Sequence, residues 1–172
     1  IHTIGTGNTF TCPEGKGINV VSDDVTGNIT WKKLNKPYYV EGGIDIDNGT
    51  LTIEPGAIFK FNSDGALHIG YYNNTTFTAN GNSAEKIVFT TSATSPTAGS
   101  WVGLHFWDDN LSTSSMTYCE VAYAGKGTAV SAIKLNSTSL TFNNNSIHHA
   151  LTKGIELDES EFVAMENNTI EN

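Results

Sequence analysis

The sequence predicts an all-β solenoid, a column of short parallel strands, and three observations carry that prediction. Apolar-polar-apolar triplets recur from residue 44 to the end of the chain. Short runs rich in Gly, Asn and Pro separate them, and no helical periodicity interrupts them. The triplets also fall into sets of three, so that one set makes one turn of a coil and the next set repeats it.

Residues 51–61, LTIEPGAIFKF, show the unit most plainly. Leu51 and Ile53 alternate with Thr52, Glu54-Pro55-Gly56 turns the chain, and Phe59 and Phe61 alternate with Lys60. Five such coils of three strands can be laid out. The first takes residues 44–46, 51–53 and 59–61; the second 67–69, 77–79 and 87–89; the third 104–106, 116–118 and 121–123. The fourth takes 133–135, 140–142 and 147–149, and the fifth 155–157, 162–164 and 170–172. First strands begin 23, 37, 29 and 22 residues apart. The long step contains SATSPTAGSW and WDDNLSTSS, which read as insertions at turns that leave the strand register intact.

Each strand's equivalent lies one coil later and runs the same way, so the hydrogen bonds go up and down the column. Two residues of each triplet then point inward and one outward. Ile44, Leu67, Leu104, Ile133 and Ile155 are expected as one inward row, and Leu51, Phe77, Met116, Leu140 and Phe162 as another. Asn143-Asn144-Asn145 and Asn167-Asn168 fall at matching corners, where Asn tolerates left-handed backbone and can stack by side-chain amides. Residues 1–43 lack the triplets and are assigned as an N-terminal cap with Trp31 as its plug, leaving 44–172 as the solenoid. The last coil ends in mid-pattern, so either further coils in a longer parent chain, a partner, or self-association is expected there.

Composition narrows the function classes. Hydrophobic content of 38% with 16% charged residues fits a folded domain. The net charge of −9, with all 9 cations Lys and none Arg, argues against a nucleic-acid partner. No apolar run is long enough for a membrane span. Two cysteines, Cys12 and Cys119, are too few for a disulfide framework, and Cys119 is expected as a small buried apolar residue. The chain opens at Ile1 without Met and is read as a processed piece of an exported protein.

PYYVEGGIDIDNGTLTIEPGAIFKF, followed by ALHIG, FTANGNSAEKIVFTT, GSWVGLHF, MTYCEVAYAG and NNNSIHHALTKGIEL, resembles the right-handed parallel β-helix repeat domains of exported and cell-surface bacterial and archaeal proteins. The resemblance covers roughly residues 30–172 and implies a right-handed column. It also implies an extracellular or cell-surface location. The broader class includes polysaccharide lyases, hydrolases, adhesins and inert stalks, so the resemblance speaks to fold more than to activity.

The candidate site is the outward row of the first strands: Asp45, His68, His105, Lys134 and Glu156, one per coil. Titratable groups about 4.8 Å apart on a flat face suit glycan binding or acid–base work, and equally suit a solvated face of alternating charge. Trp107-Asp108 at a bordering turn and Tyr72 after the second coil's first strand add rings that can stack on sugars. The expected function is a non-enzymatic scaffold or adhesive module with a polysaccharide-binding face. The runner-up is a β-helix polysaccharide lyase or glycoside hydrolase. Pectate-lyase-like members generally use an Arg base with acid-bound calcium, for which this Arg-free chain would need a substitute such as Lys134. Hydrolases of the class use a pair of acids, for which Trp107-Asp108-Asp109-Asn110 is the candidate, although adjacent residues in a turn usually point apart. An ice- or surface-binding solenoid is the third reading, from the outward hydroxyls of Thr52, Thr78, Thr117 and Thr141. No cofactor is expected. The one place that resembles a calcium site is Asp45-Ile46-Asp47-Asn48-Gly49, which opens like a calcium loop but lacks its later Glu and reads as a plain turn. No metal site is expected, because His148 and His149 are strand neighbours and should face opposite ways.

Overall fold

A computed structural model of the protein describes residues 7–72, 75–107, 113–127 and 131–171. In chain order the strands are β1 (Ile18–Trp31), β2 (Tyr38–Ile53), β3 (Ile58–Phe61), β4 (Ala66–Ile69), β5 (Thr75–Asn80), β6 (Ile87–Thr91), β7 (Gly103–Trp107) and β8 (Ser115–Thr117). They continue as β9 (Cys119–Ala122), β10 (Ser131–Asn136), β11 (Ser139–Asn143), β12 (Ser146–His148), β13 (Lys153–Asp158), β14 (Glu161–Glu166) and β15 (Thr169–Glu171). Every strand pairing is parallel, and each partner lies one coil away. Among the described residues no helix is long and apolar enough to cross a membrane.

Three faces result. The first stacks the middles of β1 and β2 under β4, β7, β10 and β13. The second stacks the ends of β1 and β2 with β5, β8, β11 and β14. The third runs from the starts of β1 and β2 through β3, β6, β9, β12 and β15. The protein is thus a solenoid of about six turns.

The sixth turn comes from the stretch expected to be a cap. Along its length β1 pairs with β2, setting Val25 beside Ile46 and Ile29 beside Leu51. The alternation in INVVSDDVTGNITW is hidden by two register shifts, between Val21 and Asp23 and between Thr26 and Gly27. At the second shift Gly49 runs so close to Gly27 that a Cβ there would sit 2.2 Å from the Gly27 carbonyl oxygen. Trp31 does lie inside the column, fully buried against Tyr38 and Phe59.

The core is built from stacked equivalents. Ile44, Leu67, Leu104 and Ile133 are buried in one row, as the triplets predict. On the third face Tyr38, Phe59 and Phe89 stack ring on ring at 4.9 and 5.4 Å. Trp101 closes a corner, stacked on Phe61 at 4.1 Å with its indole N–H donated to the Ala122 carbonyl at 2.7 Å. Cys119 is a buried inward residue of β9, and burial pushes its thiol pKa up.

Two registers differ from expectation. Met116 pairs with Ala79 and Phe142 and not with Phe77 and Leu140. The buried Ser114 hydroxyl instead accepts from Phe77 N at 2.9 Å, so a side chain replaces a strand bond where the insertion enters β8. Likewise Phe59 pairs with Phe89 and not with Ile87.

Two of the corners are, in several coils, a single residue in left-handed backbone. Asn48, Ser137 and Glu159 turn the chain from first face to second, with φ of 54°, 51° and 50°. Tyr118, Asn144 and Asn167 make the next turn at 49°, 58° and 55°. There the expected Asn residues are in place, with their amides bonded to the backbone of the neighbouring coil instead of the expected stacking of amide on amide. Cys119 N donates to Asn145 Oδ1 at 2.8 Å and Asn145 Nδ2 donates to Met116 O at 2.9 Å. One coil on, Asn145 N donates to Asn168 Oδ1 at 2.8 Å and Asn168 Nδ2 to Phe142 O at 2.7 Å. On the final coil Leu157, Val163, Met165 and Ile170 are exposed by between 44% and 57%.

Replacing Asn145 by Ala orphans a buried N–H and a buried carbonyl together, and should cost about 2–4 kcal/mol in a denaturant titration. Asn168→Ala, at a half-buried corner, should cost less. Gly49→Ala forces β1 from β2 and should lower stability by about 1–3 kcal/mol, read from the same titration.

Candidate functional site: a groove over the first face

The side chain alternation of the first face places one residue of each strand outward. Register carries Asp45 onto His68, His68 onto His105, His105 onto Lys134 and Lys134 onto Glu156, the row expected from the triplets. The additional coil extends it by Asp24, which pairs with Asp45.

Four of these residues, Asp45, His68, His105 and Lys134, line a groove of about 760 Å³. One lip lies at the C-terminal ends of the strands, where Trp107 ends β7 and Tyr71 follows β4. Residues that precede the strands make the other: Asp64, Val102 and Lys126. Asp64 and Lys126 are joined at 2.9 Å, and the ammonium holds the Asp64 carboxyl below the usual range.

Within the floor, His68 Nδ1 lies 2.7 Å from Asp45 Oδ1. A carboxylate can only accept, so Nδ1 carries the proton and Nε2 is left as a base. The imidazoles of His68 and His105 stack at 5.6 Å. His105 is only 8% exposed, and its Nε2 has no hydrogen-bond partner among the described residues. Burial first, then the neighbouring His68 and Lys134, lowers its pKa to about 4, so the ring is neutral across the physiological range. Lys134 Nζ sits 3.8 Å from Glu156 and 4.0 Å from Asp158. Glu156 also accepts from Lys153 at 3.1 Å, which holds its carboxyl below the usual range.

The rim is aromatic. Trp107, two residues beyond His105 on the same side of β7, stands edge-on to His105 and to His68, both at 5.4 Å. Tyr71 meets Trp107 at 5.0 Å and is half exposed. Tyr72 does not line the groove; it is 69% exposed, edge-on to Tyr71, and its N–H donates to Asp47 Oδ1 at 2.9 Å. Asp108 and Asp109 lie outside the described residues. The segment weighed for calcium belongs to β2, with Asp45 bound to His68 and Asp47 buried under the Tyr72 amide. Among the described residues no three His, Cys, Asp or Glu side chains converge on a metal position.

Sequence reasoning found the floor and missed the second lip. Asp64 and Lys126 come from turns without periodicity; the only shared signal is their place shortly before a first-face strand, in SDG and GKG. The hydroxyl row of the second face is also corrected. Thr30, Thr52, Thr78, Ser115 and Thr141 are in register, and Thr117 pairs with Asn80 and Asn143. The row ends where β14 bulges and exposes Val163.

A buried histidine with a depressed pKa makes stability rise with pH where the unfolded chain is protonated and the folded chain is not. For His105 that window lies between about pH 4 and the ordinary histidine value, about 6.5. Thermal melts should therefore show up to about 3 kcal/mol lost as pH falls through this window. A His105→Gln variant should lack that part of the acid sensitivity.

A family model described as a right-handed β-helix region matches residues 17–172. No curated protein and no solved structure gives a significant match. The matched span takes in β1 as well as the fourteen strands after it, in keeping with the extra turn seen at the N-terminal end. With nearly its whole length covered and every pairing parallel, the chain belongs to the right-handed β-helix family.

Proposed function

We propose that this β-helix is an exported or cell-surface module that binds a polysaccharide along the first-face groove. One observation carries the reading: Trp107 and Tyr71 stand at the rim of a groove whose floor is a row of hydrogen-bonding side chains. Sugars present apolar ring faces and hydroxyl edges, and such a rim and floor complement both. From Asp45 to Lys134 the floor crosses four coils, roughly 14 Å, which suits an oligosaccharide segment lying along the column. Among the charged residues that line the groove, Asp45 and Asp64 offset Lys126 and Lys134, which favours a neutral or weakly charged glycan over a polyanion.

A second reading, a β-helix polysaccharide lyase or hydrolase, is favoured by the His68–Asp45 pair, which leaves an oriented imidazole facing the same groove. Both readings meet in one experiment. On a panel of soluble polysaccharides, the protein should retain at least one, and Trp107→Ala should weaken that binding about tenfold or more, the equivalent of about 1.4 kcal/mol of stacking. Unchanged retention by Trp107→Ala and Tyr71→Ala would remove the groove from consideration. A fall in polymer viscosity that is abolished in His68→Ala would replace binding alone with catalysis.

A further inference from the structure

The third face carries a second cluster of titratable groups, remote from the groove. His148 ends β12 and His149 follows it at the corner. Strand neighbours point to opposite sides, but His149 has a φ of 54°, and the left-handed backbone swings its ring back toward His148. The two Nδ1 atoms come within 2.8 Å. This corrects the expectation that the two rings face opposite ways.

The surroundings fix both rings. His148 Nε2 lies 3.3 Å from Glu120 Oε1, and a carboxylate can only accept, so Nε2–H is donated there and Nδ1 presents its lone pair. His149 Nδ1–H then donates to it. Tyr123 lies stacked on His149 at 4.8 Å and edge-on to His148 at 6.1 Å, limiting rotation of each.

We infer that His148 and His149 form a surface site for a divalent transition-metal ion, held by both Nδ1 atoms and completed by water. The ion displaces the proton that the two rings share and sits to one side of the line joining the two nitrogens. His149 moves that proton through solvent to its own Nε2, so both imidazoles stay neutral and no net proton is released. Glu120 is the positioning residue, in the arrangement by which a carboxylate orients and enriches a ligating imidazole. Two metal–nitrogen bonds of about 2.0–2.1 Å at a right angle span about 2.9 Å, whereas a tetrahedral angle needs about 3.3–3.4 Å. The 2.8 Å of the N–H···N bond is close to the right-angled span, so the rings need to part least for Ni(II) or Cu(II). With no third protein ligand converging among the described residues, the site is open and the ion exchangeable.

Nickel chloride titrated into the 172-residue chain, followed by calorimetry and by proton NMR of the imidazole signals, tests this. One equivalent should bind, broadening the His148 and His149 signals ahead of those of the other three histidines. His149→Asn, a residue that tolerates left-handed backbone, should weaken binding at least tenfold without lowering the melting temperature of the metal-free protein. Glu120→Gln should weaken it about tenfold. The inference is overturned if His149→Asn binds nickel as the parent does, if broadening centres on another histidine, or if millimolar nickel leaves the spectrum unchanged.

Discussion

Everything in this structure depends on the register between successive coils, and the corners are what enforce it. Strands such as β8, β12 and β15 have three residues each, too few to hold a pairing by hydrogen bonds alone. At the tightest corners a single left-handed residue sets the angle between faces, and at one of them the amides of Asn145 and Asn168 tie a turn to the backbone of the coil before it. Each amide uses its acceptor and its donor at once, so a slip of one residue would break two bonds inside a dry column. Burial of the aromatic and aliphatic rows then acts on a geometry already decided.

The same register that stacks the core stacks the surface. His68 and His105 lie face to face because Leu67 and Leu104 do so beneath them. A close outward stack desolvates its middle member, and His105 is accordingly held neutral between His68 and Lys134. Along the row the charge passes from acids through two imidazoles to Lys134 and back to an acid, so unlike neighbours meet and like charges in contact are confined to Asp24 and Asp45. A flat sheet becomes a groove only where loops rise on both sides of it. Here the lips are an aromatic pair and an ion pair, and they give the site its chemical character.

Membership of the right-handed β-helix family describes the column and leaves its chemistry to the side chains mounted on it. The groove and the His148–His149 corner illustrate two ways of mounting them. In the groove, residues far apart in the chain converge because their strands are stacked. At the corner, two consecutive residues converge because one of them leaves strand geometry.

Fold class, the inward row from Ile44 to Ile133, the outward row from Asp45 to Glu156 and the Asn corners were all legible in the residues. Alternation with period two marks the inside and outside of each strand locally, and parallel repetition carries that marking upward. The extra coil in β1, the placement of Met116 against Phe142 and the pairing of Phe59 with Phe89 were not legible. Bulges and insertions shift the register of a whole strand while leaving its own alternation almost untouched, so no local pattern reports them. The second lip and the convergence of His148 with His149 arose only on folding, because a turn's direction is set by backbone angles and by what it packs against. Strands wrote their side of the answer into the hydrophobic pattern; the corners that join them wrote theirs only in three dimensions.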